Sequence, residues 1–424
     1  MRTSFAHKSR LDLLRRAADY RRLFVATLAS GAGTYLAAIA LTVDVFDRTG
    51  SGTWVSALLI AEFLPAIVIG LLLGPLVDRW SRRRLLIGSD LARLAVFCVL
   101  PFAGSATAVV ALAFVAGVAT GFFRPAVYAG MPNLVDDDDL PAANALLQAV
   151  DNLAWMIGPI VGGVLLTVQG PELAYWLNAL SFLLSAALLA RIPARRLQAG
   201  KIESRGHWQD LGDGFRLVRR SRALLTVLVV WNVVLLGSAA VNVAEVVLAK
   251  VALDAGDVGF GILVGASGLG LTLGSLAAGS ILERLGIRHA YTALIALMAL
   301  GYGIGAVAPN LAVAVAGVLL GTFGNGAAVV CNALLVQRGA PDALRGRVFT
   351  VIMSSNYVLL GLGMAVAGPL VDAVGARWLW GGASVAFLLA ALAAAVLARG
   401  FDTTVAPAEL DEAVQSDGTV PSRV

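Results

Sequence analysis

Charge is scarce in this chain. Only 14% of its 424 residues are Asp, Glu, Lys or Arg, against roughly 25% in soluble domains. Lysine is scarcer still, three of 32 basic residues. There are two cysteines, Cys98 and Cys331, and both lie in apolar runs. A disulfide framework is therefore not indicated. The three histidines, His7, His207 and His289, are far apart, and with two apolar cysteines they offer no metal site. No Gly-x-x-x-x-Gly-Lys-Ser/Thr loop occurs, which excludes a built-in phosphate-loop ATP motor. No Ser/His/Asp set can be argued, so the chain does not read as an enzyme, and no cofactor is expected. The aspartate run 136–139 lacks calcium-loop spacing and reads as a solvated loop, salt contact with 82–84 being the lesser alternative. Ten-residue stretches of alternating polarity are absent too, which excludes a membrane β-barrel.

What is abundant is apolar residue in long runs. The chain is 58% hydrophobic, with a mean hydropathy of +0.83. Runs of 18–26 residues match the length a helix needs to cross ~30 Å of hydrocarbon. Twelve spans are expected, at 23–46, 53–73, 85–102, 107–131, 144–168, 173–192, 224–248, 258–282, 290–307, 311–336, 348–371 and 378–397. The first is too long for a signal peptide and lacks a cleavage site. The fold class is an all-α polytopic membrane protein, with no nucleic acid as partner despite the sequence pI near 9.5.

The expected organisation is a basic N-terminus (1–22, with 11–22 lying on the membrane surface as a short helix), a six-helix bundle (23–192), a linker (193–222), a second bundle (223–398) and a polar tail (399–424). Of the 32 basic residues, 27 fall on one face of this arrangement. Three, Arg48, Lys250 and Arg377, fall on the other, and Arg93 and Arg124 lie inside spans. By the positive-inside rule both termini are cytoplasmic, and a multi-pass protein of a cell membrane is expected.

The sharpest polar break in the first half is Gly74-Pro-Leu-Val-Asp78-Arg79-Trp-Ser81-Arg82-Arg83-Arg84, with five charges in eleven residues. It is too short for a domain and too charged for lipid, so it reads as a tight cytoplasmic turn. A weaker copy, Gly279 to Gly286, follows 205 residues later, placing Glu283 and Arg284 on Asp78 and Arg79. Asp44 and Glu245 are 201 apart. One half is written twice.

This turn resembles the loop 2–3 signature of the major facilitator superfamily, Gly-x-Leu-x-Asp-Arg-x-Gly-Arg-Arg. Ser81 stands in place of its second Gly, which makes the turn less sharp. Ile157-Gly158-Pro159-Ile160-Val161-Gly162-Gly163 resembles the antiporter motif of that superfamily's exporters, and Gly368-Pro369 echoes it partially. Arg124-Pro125-Ala126, Met131-Pro132-Asn133-Leu134-Val135, Ala143-Asn144-Ala145-Leu146 and Leu344-Arg345-Gly346-Arg347-Val348 look like the branch containing macrolide efflux and enterobactin export proteins. The likeness covers residues 20–400. It implies two pseudo-symmetric six-helix bundles, a substrate path between them, alternating access and a monomer. The sugar-porter signature expected after the sixth span is absent from 191–195.

Charges within spans need a partner or a cavity. Asp90, Arg93, Arg124 and Asp151 fall at one depth and read as an ion-pair network with Asp78 and Arg79. That network either switches the transporter or only satisfies buried charge. The resemblance makes Gly74, Asp78, Arg79, Arg82, Arg83, Arg124 and Asp151 a conformational gate. Glu62 falls mid-span with no basic residue at its depth. As candidate proton carriers Glu62, Asp44 and Glu245 stay open, and Glu62 can alternatively be a structural hydrogen-bonding residue. Polar or aromatic handles for a cavity are Tyr35, Trp155, Trp231, Asn232, Asn242, Asn332 and Asn356. The expected activity is export of a small hydrophobic or amphipathic compound by proton antiport. Proton-coupled uptake and a non-transporting sensor or scaffold remain the alternatives.

Overall fold

The computed structural model describes residues 10–72, 80–197, 215–219, 221–340 and 342–397. Among them all regular structure is helical. A short helix, Arg10–Arg16, precedes α1 (Ala18–Thr49). Then follow α2 (Gly52–Leu72), α3 (Arg82–Val99), α4 (Ala106–Gly130), α5 (Leu140–Gln169) and α6 (Pro171–Ala190). The remaining long helices are α7 (Arg222–Val247), a run over Gly256–Ala306, α10 (Leu311–Gly339), α11 (Asp342–Val374) and α12 (Ala376–Leu397).

The run over Gly256–Ala306 is two helices. Gly286 adopts φ +69° and ψ 156° within it, a conformation open mainly to glycine, and divides it into α8 (256–285) and α9 (287–306). Ser81, at the matched place in the first half, has φ −64° and begins α3. Among the described residues ten helices, counting Gly256–Ala306 once, are long and apolar enough to cross a membrane, and Gly52–Pro65 is a shorter apolar helix. Large apolar side chains stand exposed along them, among them Leu180, Leu276, Val366 and Val385. Water would not tolerate so much of this surface, and lipid does. The chain is a multi-pass membrane protein.

Termini are set by local chemistry. Ser105 accepts a hydrogen bond from the Ala108 amide at the start of α4, and Asn310 accepts one from Val313 at the start of α10. Both satisfy an orphan donor of the first turn. Gly170, at φ +72°, turns the chain between α5 and α6, and Pro171 follows at the first helical position.

The basic N-terminus departs from a single surface helix. Arg10–Arg16 ends at Ala17, and α1 begins five residues before the expected span. Arg21 turns back to donate to the carbonyls of Leu14 and Arg15. Buried Asp19 binds both Arg22 (2.6 Å) and Arg196 (2.8 Å). The aspartate run is likewise more than a solvated loop. Asp137–Asp139 forms a 3₁₀ turn, and Asp139 pairs with Arg16, not with 82–84.

The chain divides into two compact units, one of Met1–Glu203 with Ala249–Gly268, the other of Ser204–Leu248 with Leu269–Val424. In the first, α1 packs on α5 and α6, α2 on α4, and α3 on α4 and α6. In the second, α7 packs on α11 and α12. The same aromatic cluster appears in each. Phe97 lies against Tyr175 (centroids 6.1 Å) and Phe182 (5.6 Å). Tyr302 lies against Trp380 (5.5 Å) and Phe387 (5.3 Å). Each member of the second set is 205 residues beyond its counterpart, as are the caps Ser105 and Asn310. The duplication reaches the core.

Candidate functional site

Residues four apart on a helix share a face. Arg124 and Tyr128 do so on α4, and on α5 Gln148 pairs with Asn152 and Asp151 with Trp155. With Tyr35 of α1 these seven side chains line a cavity of about 380 Å³ within the first unit. Arg124 Nη2 meets Asp151 Oδ2 at 2.6 Å. Gln148 Nε2 donates to Asn152 Oδ1 at 2.9 Å. Tyr35 and Tyr128 stand within electrostatic reach of the Arg124–Asp151 pair. Aromatic walls around one cation and one carboxylate suit a compound with apolar bulk and a polar or charged group.

The expected four-residue network resolves into two separate pairs. Asp90 and Arg93, three apart on α3, share a face and bond to each other at 2.6 Å. That face is buried, and Arg93 lies over the rings of Phe123 (4.3 Å) and Phe182 (4.4 Å). Arg124 and Asp151 instead face the cavity. Rotation about the helix axis, which span depth does not reveal, separates them.

Of the expected gate, Gly74, Asp78 and Arg79 lie outside the described residues. Arg82 is buried and donates to the carbonyls of Ala129 (2.8 Å) and Leu197 (3.2 Å). Arg83 donates to the Ala190 carbonyl. Both arginines thus serve carbonyls at or near helix C-termini, where cations are favourable.

The three carboxylates singled out as proton carriers stand in unlike surroundings. Asp44 is buried and fully bonded. Its Oδ1 accepts from Arg48 Nε at 2.6 Å and its Oδ2 from the Tyr175 hydroxyl at 2.8 Å. Glu62 is part-buried on α2 and has no hydrogen bond or ion pair among the described residues. Gly117 of α4 packs against its backbone, where a Cβ would lie 2.6 Å from the Glu62 carbonyl oxygen. Glu245 is buried on α7, and its Oε1 has no hydrogen-bond partner.

The glycine motif of α5 serves two neighbours. A Cβ on Gly158 would lie 2.8 Å from that of Tyr35, and one on Gly162 would lie 2.6 Å from the Leu36 carbonyl oxygen. Gly163 and Pro159 face the other way, toward Asp257 and Gly261 of α8. Pro159, inside α5, cannot donate a backbone hydrogen bond.

Of the cavity candidates, Tyr35 and Trp155 are brought together in the first unit. The others lie in the second and are dispersed. Trp231 is buried, and Asn232 donates to Ser355 Oγ at 2.7 Å. Asn332 accepts from the Tyr291 hydroxyl at 2.6 Å. Asn356 is buried with its Oδ1 unpartnered, and Asn242 is exposed. The reading from sequence missed Tyr128, Gln148 and Asn152, which the four-residue spacing around Arg124 and Asp151 signals. It also missed Arg48 and Tyr175 as partners of Asp44. Arg48 was legible four residues on from Asp44, whereas Tyr175 is 131 residues away.

Known proteins share this architecture. Residues 10–411 match the family described as transmembrane secretion effector. The multidrug efflux pump Tap of Mycolicibacterium fortuitum is 28% identical over 89% of this chain and 95% of its own length. Macrolide efflux protein A of Streptococcus pyogenes is 22% identical over 80% of this chain and 85% of its own. A crystal structure of a POT family transporter bound to a thioalcohol-conjugated peptide superimposes with a TM-score of 0.73 at 11% identity, covering 89% of this chain and 96% of that one. At that identity the likeness speaks for the fold alone. This chain belongs to the transmembrane secretion effector family, with the major facilitator fold.

Proposed function

We propose that this protein exports a small hydrophobic or amphipathic compound by alternating access, driven by proton influx. The observation that carries the reading is the cavity of Tyr35, Arg124, Tyr128, Gln148, Asp151, Asn152 and Trp155, in a chain whose relatives are named as efflux proteins. Its aromatic walls provide dispersion contacts for varied apolar bodies. Its paired charges select an orientation or a polar group. The resemblance of Gly158, Pro159, Gly162 and Gly163 to the antiporter motif favours export over uptake. The proposed site is the cell membrane, the proposed unit a monomer, and the distribution of basic residues supports cytoplasmic termini. The sequence organisation into two bundles joined by 193–222 belongs to this proposal, as does a gating role for Gly74, Asp78, Arg79, Arg82 and Arg83.

The energetics suffice. One proton moving through ~100 mV releases ~2.3 kcal/mol, roughly a fifty-fold concentration ratio at ~1.4 kcal/mol per decade. The test is efflux of preloaded fluorescent dyes and macrolides from energised cells, with and without an uncoupler. Extrusion abolished by the uncoupler supports the reading. Uncoupler-sensitive accumulation would replace export with uptake. Failure to move any compound across a broad panel would remove the multidrug reading.

A further inference from the structure

We infer that Glu245 is the proton-binding carboxylate of the second unit, and that Arg48 and Tyr175 exclude Asp44 from that role in the first. The inference rests on the proton-driven reading above and assigns its carrier. It comes from comparing the two copies of one aromatic frame.

Phe97, Tyr175 and Phe182 in the first unit correspond to Tyr302, Trp380 and Phe387 in the second, each 205 residues on and each in like contact. Asp44 closes the first frame through the Tyr175 hydroxyl. Glu245 is 201 residues beyond Asp44, four short of the repeat. Four residues are about one helical turn, so the carboxylate keeps its face of the helix.

The surroundings differ in what neutralises the charge. Arg48 stands four residues after Asp44, bonds it, and donates through Nη1 to the Ala103 carbonyl at 2.9 Å. Neither Ala249, four after Glu245, nor Leu253, 205 after Arg48, is basic. The carbonyl matching Ala103 is that of Ala308, which accepts from Arg377 of α12 at 2.7 Å. The arginine has moved from the first helix of the unit to the last, keeping its carbonyl and leaving the carboxylate. Tyr175, which donates to Asp44, is replaced by Trp380, whose buried Nε1 has no partner.

The titratable and charged groups of the second unit at this end of the helices are Tyr302 on α9, Arg377 on α12 and Asp372 on α11. Tyr302 is within electrostatic reach of Glu245. Lys250 is held by Asp47 and Asp257. Glu245 Oε1 has no hydrogen-bond partner among the described residues. Directly after Glu245 the helix widens into a π turn, Leu248–Ala252, a feature frequent at functional sites.

An uncompensated carboxylate in apolar surroundings is costly when charged. Glu245 therefore takes a proton from water when its site is dry and returns it to water when the site is wetted. One O–H bond forms and later breaks, and nothing else changes covalently. Asp44 has both oxygens bonded, to Arg48 and to Tyr175.

The test uses the full-length protein in lipid vesicles, read by difference infrared spectroscopy across a pH step. The carbonyl stretch of a protonated carboxylic acid is expected in the parent, absent in Glu245→Gln, and retained in Asp44→Asn. Melting adds a second readout: Asp44→Asn falls, because it breaks a satisfied pair, whereas Glu245→Gln holds or rises, because a neutral amide replaces a carboxyl that must be neutralised to stay buried. Should Glu245→Gln fail to fold, Tyr302→Phe, at the residue within electrostatic reach of Glu245, shifts the band if the assignment holds and leaves it unmoved if not. A band that survives in Glu245→Gln, or vanishes in Glu62→Gln instead, overturns the inference. If the band behaves as expected but a pH gradient drives no dye export by the parent, the antiport reading fails and the proton site stands.

Discussion

Arg124 and Asp151 meet at 2.6 Å between α4 and α5, yet the arginine side chain, which lines the cavity, remains 55% exposed. Such a pair contributes little to stability, about 0–1 kcal/mol. Its groups are nonetheless positioned to meet a ligand. Arg124→Ala is expected to weaken half-saturation of dye transport about tenfold, or about 1.4 kcal/mol, with melting nearly unchanged. Concentration-dependent efflux and thermal melting of the purified protein check this. A large drop in melting with unaltered half-saturation would make the pair structural.

Asp90 and Arg93 give the opposite expectation. Both are buried, and the guanidinium lies between two phenyl rings. Removing one partner strands the other charge, at about 3–5 kcal/mol. Asp90→Leu and Arg93→Met are each expected to reduce folded protein sharply. The double variant recovers it, since replacing a buried pair by apolar groups is often neutral. Yield and melting of the three variants decide. An additive double variant contradicts the pairing.

Tyr175→Phe removes the hydroxyl that satisfies Asp44 Oδ2. A buried acceptor left without its donor costs about 1–3 kcal/mol. The expected result is a lower melting temperature with efflux retained in the surviving protein. Loss of coupling without loss of stability would instead return Asp44 to the list of proton carriers.

Gly162 has no room for a side chain. A Cβ there would approach the Leu36 carbonyl oxygen to 2.6 Å, and Ile39 Cβ to 3.3 Å. Backbone cannot yield as a flexible side chain does. Overpacking of this kind costs typically about 1–3 kcal/mol. Gly162→Ala is expected to lower melting and slow efflux, whereas Gly382→Ala, with open space around its Cβ position, changes neither. Equal behaviour of the two would show that α1 and α5 separate freely.

The helical membrane fold and the efflux-type family were legible in the chain, because both are written in contiguous signals. An apolar run adds its transfer energy residue by residue, and a motif keeps its spacing. The starts of α4 and α10, at Ala106 and Leu311, fall within a residue of the expected spans. Less legible was the start of α1, where Asp19 binds Arg22 and Arg196. Arg196 is 177 residues away, and no local pattern announces it.

By itself, the sequence determined that this protein is a helical membrane protein of duplicated design with a few charges inside its spans. Hydropathy and repeat spacing depend only on residue order. Only the tertiary structure decided which of those charges are neutralised. It joined Asp44 to Tyr175 and turned Arg93 into aromatic rings. It opened Arg124 and Asp151 to a cavity and left Glu245 alone. The reason is rotation. In lipid, an apolar face can meet a neighbouring helix or a hydrocarbon chain equally well. The one-dimensional pattern therefore does not say which way a helix turns. That angle, set by packing of small residues such as Gly117 and Gly162 against facing backbone, assigns each buried charge its partner.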